Sequence, residues 1–524
     1  MIRFNSLSAV SIAILVASIG LATSPATAQS MSSSSSSATS SSVVNPDAGR
    51  KIQNPAAPTA ASTLPSGGLP QNDDTAANVF DLPTAIVLGL KASGDLLVAE
   101  TDLQKDKALA SEASDAGNLK INADGTVTHI DSKITVPFAL PNLPPSAIVV
   151  EPENTQSFDA AASLPIDISG YIKAQTQAAE LQVLADRFNV DRVHNALVLN
   201  TQTSYFNVLR AQHQVQVAQS AVADAQTQYR TADTQYTGGV GQKIDVYRAS
   251  TQVAQAQQTL LQAQNAFALA QDNFNDVVGR KLNAPVIAKD VPGVTAGTTV
   301  TASGQPPVVG APDASVTQFY APSVTELNQI DLDNDIAQAS DARPELRADL
   351  VDIQAASKQI TLARAEDGPS LTLSATGDYY PVTDFQTPRH SLGVYSATLH
   401  IPVFDGWLTR DRVRAAKDDQ TNTKTTYSSD QTTVELQVRQ AYLNLYTAAN
   451  QITAANTALQ QAIAARELAQ VRYASGVGLY LEVTDAESAL TQAENSQVNS
   501  VYDYLIARAQ YQNAVGAPDL NPTL

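Results

Sequence analysis

The sequence predicts a mainly α-helical protein with a transmembrane β-barrel contribution, built from one unit written twice: a strand pair followed by a long antiparallel coiled-coil hairpin. Three observations predict it. Shifting the chain against itself by 237 positions without a gap places Phe158 on Tyr395, Pro165 on Pro402, Tyr205 on Tyr442, Gly239 on Gly476 and Gly279 on Gly516, and self-similarity of this kind marks a duplication. Large and small residues alternate at heptad positions through much of each half, as closely approaching coiled helices require. Ahead of each heptad region lies a short stretch with a period of two instead, the mark of a sheet with unlike faces.

The N-terminus carries Arg3, the apolar run Ala9 to Ala22 and the small residues Ala26, Thr27 and Ala28. That is the layout of a signal peptide over residues 1–28. The run is 14 residues long, too short to cross ~30 Å of hydrocarbon as a helix. No later stretch reaches about 18 consecutive apolar residues. Entry into a membrane would therefore be by strands, because only helices and closed barrels satisfy every backbone polar group in lipid. Residues 29–78 are rich first in Ser and then in Pro, and such a composition reads as a disordered tether because it buries too little apolar surface to offset its ordering entropy. A second such stretch, 283–323, reads as the linker between repeats at 79–282 and 324–516, leaving 517–524 as a C-terminal tail.

The chain has no cysteine, which removes disulfides, thiolate metal sites and a lipidated cysteine after the cleavage point. A net charge of −19 opposes contact with a phosphate backbone and argues against a nucleic-acid partner. Charged residues make up only 16% while Ala, Gln, Ser and Thr dominate the middle, a bias that suits long, closely packed helices.

In the first repeat the strands are expected at about 118–136 and 155–167, where alternation is less clean, and the hairpin at about 169–279. One helix carries Val208, Ala211, Val215, Ala218, Val222 and Ala225, and its partner Val246, Ala249, Val253, Ala256, Leu260 and Ala263. Upstream of Phe158 the register becomes 250, pairing Leu96 with Leu346 and Ile121 with Leu371. The 13-residue difference falls between Ile121 and Phe158, so the first repeat has the longer loop. Helix should run from near Ser169 to about Tyr236 without an internal proline, roughly 100 Å at 1.5 Å per residue.

In the second repeat the strands are expected at about 370–380 and 391–403, and the hairpin at about 406–515. Leu371, Leu373, Ala375 and Gly377 alternate with Thr372, Ser374, Thr376 and Asp378; Leu392, Val394, Ser396, Thr398 and His400 alternate with a mixed opposite face. Tyr379, Tyr380, Phe385, Phe404 and Trp407 cluster near the strand boundaries, where a lipid-embedded barrel carries rim aromatics, although ordinary strand aromatics would look the same. The seam continues through Leu445, Ala448, Ile452, Ala455, Leu459, Ala462, Arg466, Ala469 and Tyr473. The hairpins reverse at Gly238-Gly239-Val240-Gly241 and Gly476-Val477-Gly478.

Four strands cannot close a barrel, since the smallest membrane barrels use about eight. Closure needs more than one copy. At this point the sequence resembles the TolC-like outer-membrane efflux family over about Val79 to Gly516. The marks are Arg343-Pro344-Glu345-Leu346, Gly368-Pro369, Ile401-Pro402-Val403-Phe404-Asp405-Gly406, and Tyr473-Ala474-Ser475-Gly476 followed by Glu482. The resemblance implies a homotrimer in outer-membrane lipid, with a 12-stranded barrel and a 12-helix periplasmic tunnel. It also implies docking through the tips to a periplasmic adaptor protein that couples the tunnel to an inner-membrane pump. It implies a periplasmic aperture lined by Glu482 and Asp485, closure links at Asp245 and Tyr473, and adaptor contacts at Val240, Gly241, Val477 and Gly478. The family's third closing residue, an arginine, is Gly478 here; Arg472 is the nearest substitute.

An enzyme finds little support. His129, His194, His213, His390 and His400 show no ligand spacing and no nucleophile partner, so each reads as a surface or strand residue and no catalytic, cofactor or metal site is assigned. Gly238 to Lys243 looks faintly like a phosphate loop, but its Lys does not follow the last Gly and no strand precedes it. The rival reading is a periplasmic coiled-coil adaptor without a barrel. Two equal hairpins, each preceded by a strand pair, argue against it.

Overall fold

The computed structural model describes residues 79–138, 146–151, 153–290, 330–381 and 390–517. The signal peptide, the tether, most of the linker, the end of the tail and Phe385 lie outside them. The first repeat contains β1 (Val79–Phe80), α1 (Leu82–Ala92), α2 (Gly94–Asp115), β2 (Lys120–His129), β3 (Ile134–Phe138), β4 (Ser146–Glu151), β5 (Asn154–Ile166), α3 (Tyr171–Thr237), α4 (Lys243–Val277) and β6 (Ile287–Ala288). The second contains α5 (Leu332–Ala342), α6 (Pro344–Ala365), β7 (Ser370–Tyr379), β8 (Ser391–His400), α7 (Leu408–Ala474) and α8 (Tyr480–Ala514).

Local chemistry sets the helix starts twice over. The Asp81 side chain accepts from Thr84 N at 3.1 Å to cap α1, and Asp331 accepts from Asn334 N at 3.3 Å to cap α5. Each cap satisfies an orphan backbone donor. The long helices α3 and α7 are 67 residues each, and their returning partners α4 and α8 are 35 each. Equal lengths follow from the unbroken register between the hairpins.

The first repeat departs from expectation between its strands. The strand anticipated at 118–136 is divided: β2 ends at His129, and β3 turns away to pair with β4 in a separate two-stranded ribbon. The extra length of the first repeat is spent there, between His129 and Asn154. No single described helix is long and apolar enough to cross a membrane.

The main sheet has the order β2-β5-β7-β8 and is antiparallel throughout. It joins the strand pairs of the two repeats through β5 and β7. Opposed residues share a face. Ile121, Ala162, Ala375 and Tyr395 lie across one row, with Leu371 opposite both Ile166 and Leu399. The other face carries Asn122, Ala161, Thr376 and Val394 in one row and Ser163, Ser374 and Ser396 in another. One face is thus mostly apolar and the other mostly polar, with Ser374 and Ser396 hydroxyls 2.7 Å apart on the latter. This register assigns Gly393, Tyr395, Ala397 and Leu399 of β8 to the apolar face, the set that the sequence left mixed.

Beneath the sheet, the main core gathers Tyr205, Phe206 and Leu209 of α3, Phe274 of α4, Ile452 of α7 and Tyr502 of α8. The Tyr205 hydroxyl lies 3.0 Å from the Phe80 carbonyl and 2.6 Å from that of Lys289, tying the β1–β6 ribbon to the helices. His213 corrects the sequence reading of a surface or strand residue. It is buried in α3, its Nε2 lies 3.1 Å from Asp290 Oδ1, and its ring stacks on Tyr502. The long helices pack as a layer. α3 contacts both α4 and α8, and α8 contacts both α3 and α7, which leaves α4 and α7 at the margins.

Candidate functional site

The two hairpin tips are the same turn. In the first, Val240 N and Gly241 N donate to Gln235 O at 3.0 and 2.8 Å; in the second, Val477 N and Gly478 N donate to Arg472 O at 3.1 and 2.9 Å. Gly239 and Gly476 stand at φ 77° and 76°, the left-handed conformation that ends many helices. Val240 is 84% exposed and Val477 77%, so each turn presents one apolar side chain at its extremity.

Gly241 and Gly478 have a second constraint. A Cβ on Gly478 would lie 2.9 Å from Arg472 Cβ and 3.1 Å from Tyr473 N, and one on Gly241 would meet Gln235 and Tyr236 at 2.9 Å. Any side chain at either position would force the preceding turn to move.

Just above the turns the two hairpins meet. Ala232 of α3, Ala249 of α4, Ala469 and Tyr473 of α7, and Tyr480 and Val483 of α8 form a buried cluster. Tyr473 and Tyr480 meet edge-on at 5.4 Å. Burial and then the Asp245 carboxylate raise the Tyr473 pKa, while burial, Tyr473 and Asp245 push Tyr480 up to about 12. Asp245 thus lies close enough to act on Tyr473, yet its ion pair is with Arg248 at 3.7 Å. The Tyr473 hydroxyl is buried with no hydrogen-bond partner among the described residues.

Glu482 is held on its own hairpin by Arg472, Nε to Oε2 at 3.4 Å, and Asp485 is exposed one turn further on. Arg472 thus meets Glu482 with about half of its side chain still exposed. At the sheet, Tyr379 and Tyr380 sit at the end remote from the helices and Phe404 and Trp407 follow the end of β8 nearest them.

Further from the tip lies a cluster that sequence reasoning missed. Arg466 of α7 contacts Glu487 of α8 at 2.9 Å and Asp224 of α3 at 3.1 Å, with Arg466 and Glu487 both buried. Burial raises the Glu487 carboxyl more than Arg466 lowers it. Glu494, also on α8, is pushed to about 7 by burial and by Asp224 and Glu487. The signal was legible: Arg466 occupies a seam position, and a charge in a seam calls for partners on the facing helices.

The sequence profile described as outer membrane efflux protein matches residues 86–280 and 336–517. No curated protein gives a significant sequence match. Among solved structures, the fold is similar to the transmembrane channel protein CusC, 19% identical with a TM-score of 0.66, covering 83% of this chain and 92% of that one. It is similar to VceC, an outer membrane protein of Vibrio cholerae, at 17% identity and TM-score 0.64, over 83% of this chain and 96% of that one. It is also similar to the outer-membrane channel OprN at 16% identity and TM-score 0.64, over 87% and 98%.

Proposed function

Because this chain belongs to the outer membrane efflux protein family, we propose that it is the outer-membrane exit duct of a tripartite efflux or type I secretion system, passive toward the small molecules or polypeptides that traverse it. The observation that carries the reading is a layer open at both margins. The sheet is four strands wide, ends in β2 and β8, and has one apolar and one polar face. The helices below end likewise in α4 and α7, which expose Leu261 and Leu269, and Leu436, Leu443 and Leu468. Unpaired strand edges and uncovered leucines call for a neighbour. A cyclic arrangement of copies supplies one at both levels without a free end.

In this reading three copies close a 12-stranded barrel in the outer membrane, its apolar face toward lipid, above a 12-helix tunnel reaching into the periplasm. Tyr379, Tyr380, Phe404 and Trp407 stand at the two rims. Val240, Gly241, Val477 and Gly478 meet an adaptor protein linked to an inner-membrane pump. Glu482 and Asp485 line the aperture, and Asp245 and Tyr473 hold it closed. Carboxylates repeated around an axis favour cations.

Purified in mild surfactant, the protein should run as a heat-sensitive trimer and give cation-preferring conductance in planar bilayers, with the preference reduced by Glu482→Gln combined with Asp485→Asn. A monomer without conductance would sink the proposal. Val477→Asp should abolish export while leaving trimers intact. It is a better probe of the tip than any substitution at Gly478, where a Cβ would disturb the turn itself.

A further inference from the structure

The helix-proximal end of the sheet is built differently in the two repeats. The hairpin register places Gly170 on Trp407, and both have a left-handed backbone, φ 77° and 75°. Trp407 is the only non-glycine residue at positive φ among the described residues. A bulky side chain in that conformation is strained, and the strain is not offset by burial. Trp407 is 59% exposed, Phe404 74% and Val403 95%.

The exposed ring is nevertheless organised. Phe404 meets it edge-on at 6.0 Å, and the Arg410 guanidinium lies 4.9 Å from its centroid. Arg410 also contacts Asp411 at 3.3 Å, with both side chains more than half exposed, so guanidinium donors remain open to the surroundings. Arg412 turns away to Glu366 and Asp367 at 3.0 and 3.5 Å. The amides at this helix start are already occupied, since Asp405 accepts from Trp407 N and Thr409 N at 2.9 and 2.7 Å. In the first repeat, Asp167 stands where Phe404 does and Lys173 where Arg410 does, and Asp167 is used to accept from Lys173 N at 3.0 Å.

We propose that Trp407, Phe404 and Arg410 form a docking patch for phospholipid headgroups of the leaflet nearest the hairpins, present in the second repeat only. An indole favours the boundary between hydrocarbon and water. A guanidinium complements the phosphate. Tyr395, Leu399 and Ile401 of β8 and its exit are exposed and apolar and precede the patch along the chain, so a lipid lying along the strand would bring its headgroup toward Arg410. The strained backbone holds the indole outward where its glycine counterpart holds nothing. The inference rests on the membrane reading of the sheet.

Trp407 is the only tryptophan in the chain, so tryptophan fluorescence reports this patch alone. The full-length protein is reconstituted into vesicles of phosphatidylethanolamine and phosphatidylglycerol brominated either close to the headgroup or close to the acyl end, and vesicle flotation is measured in parallel. Emission should be quenched more by the shallow bromines. Arg410→Gln should weaken the preference for phosphatidylglycerol roughly fivefold. Trp407→Gly should retain its thermal midpoint, because the backbone conformation is one that glycine adopts at Gly170, yet lose lipid selectivity. A fall in the midpoint with lipid selectivity unchanged would make Trp407 a packing residue and overturn the proposal. Protein that floats with vesicles but is quenched by neither lipid would overturn it too, the patch then being covered by a neighbouring copy or another protein, while the membrane reading stands. Failure to float would overturn both.

Discussion

The two hairpins share one backbone plan and differ in how they are enclosed. In the second, α8 lies between α7 and α3, and its seam is closed: Val483, Leu490, Ala493 and Gln497 are buried. In the first, α4 packs along its length chiefly against α3, and its equivalent seam beyond Ala249 is only half-buried as far as Phe267. Interior position changes what a seam can contain. The enclosed side carries the charged cluster at Arg466, whereas the register places Tyr229 and Ser250 at the corresponding places of the first hairpin. Helix length was held common to the two repeats while side-chain chemistry diverged with surroundings.

The largest break in this comparison should come from Arg466. Arg466→Met leaves Glu487 buried without its cation and should cost about 3–5 kcal/mol at alkaline pH, read as a lower thermal midpoint by circular dichroism. The loss should shrink as pH falls through the raised Glu487 and Glu494 pKa values, because protonated carboxyls no longer need the cation, and Arg466→Met with Glu487→Gln should recover most of it. Tyr229→Met, at the half-exposed counterpart, should cost under about 1 kcal/mol.

A smaller effect should separate the turn glycines. Gly478→Ala and Gly241→Ala should each destabilise their tip by about 1–3 kcal/mol, through a clash with preceding backbone, and equally in the two hairpins because the turns coincide. Amide exchange in the last helical turns would measure this. Unequal losses would mean that enclosure of the second tip, rather than its turn, governs its stability.

The smallest effect belongs to the upper helices. Burial and then Asp430 and Asp352 raise the Asp349 carboxyl, between α6 and α7, to about 6. Its contribution is fully present below the unfolded value of 3.8 and is lost as pH rises through about 6. With solvent screening, the loss is about 1 kcal/mol. Asp349→Asn should therefore flatten the stability profile between those limits and raise stability near neutral pH. An unaltered profile would assign the slope to other groups.

The sequence already carried much of the plan because periodicity and glycine placement are local properties. The 237-residue register pairs the glycines of the two tip turns, and the heptads run where α3, α4, α7 and α8 lie. It left the first-repeat strands indistinct, since Ala and Gly fill much of their apolar face, and it ran β2 and β3 together. Asp245 and Tyr473, which the fold brings near one another, could be named from a resemblance. That Arg472 meets Glu482, and that Gly478 leaves no space for a Cβ, depends on atoms brought together by the folded turn.

What the sequence determined alone was the duplicated alternation of strand pair and rod, because hydrophobic period dictates which element each segment can form. Only the tertiary structure decided which faces meet. It placed β5 beside β7 so that two weakly patterned strand pairs share one apolar face, and it enclosed α8 so that a seam arginine met two carboxylates, Glu487 and Asp224. It also gave Trp407 the backbone of a glycine. Such outcomes depend on contacts between distant segments, and no local periodicity records them.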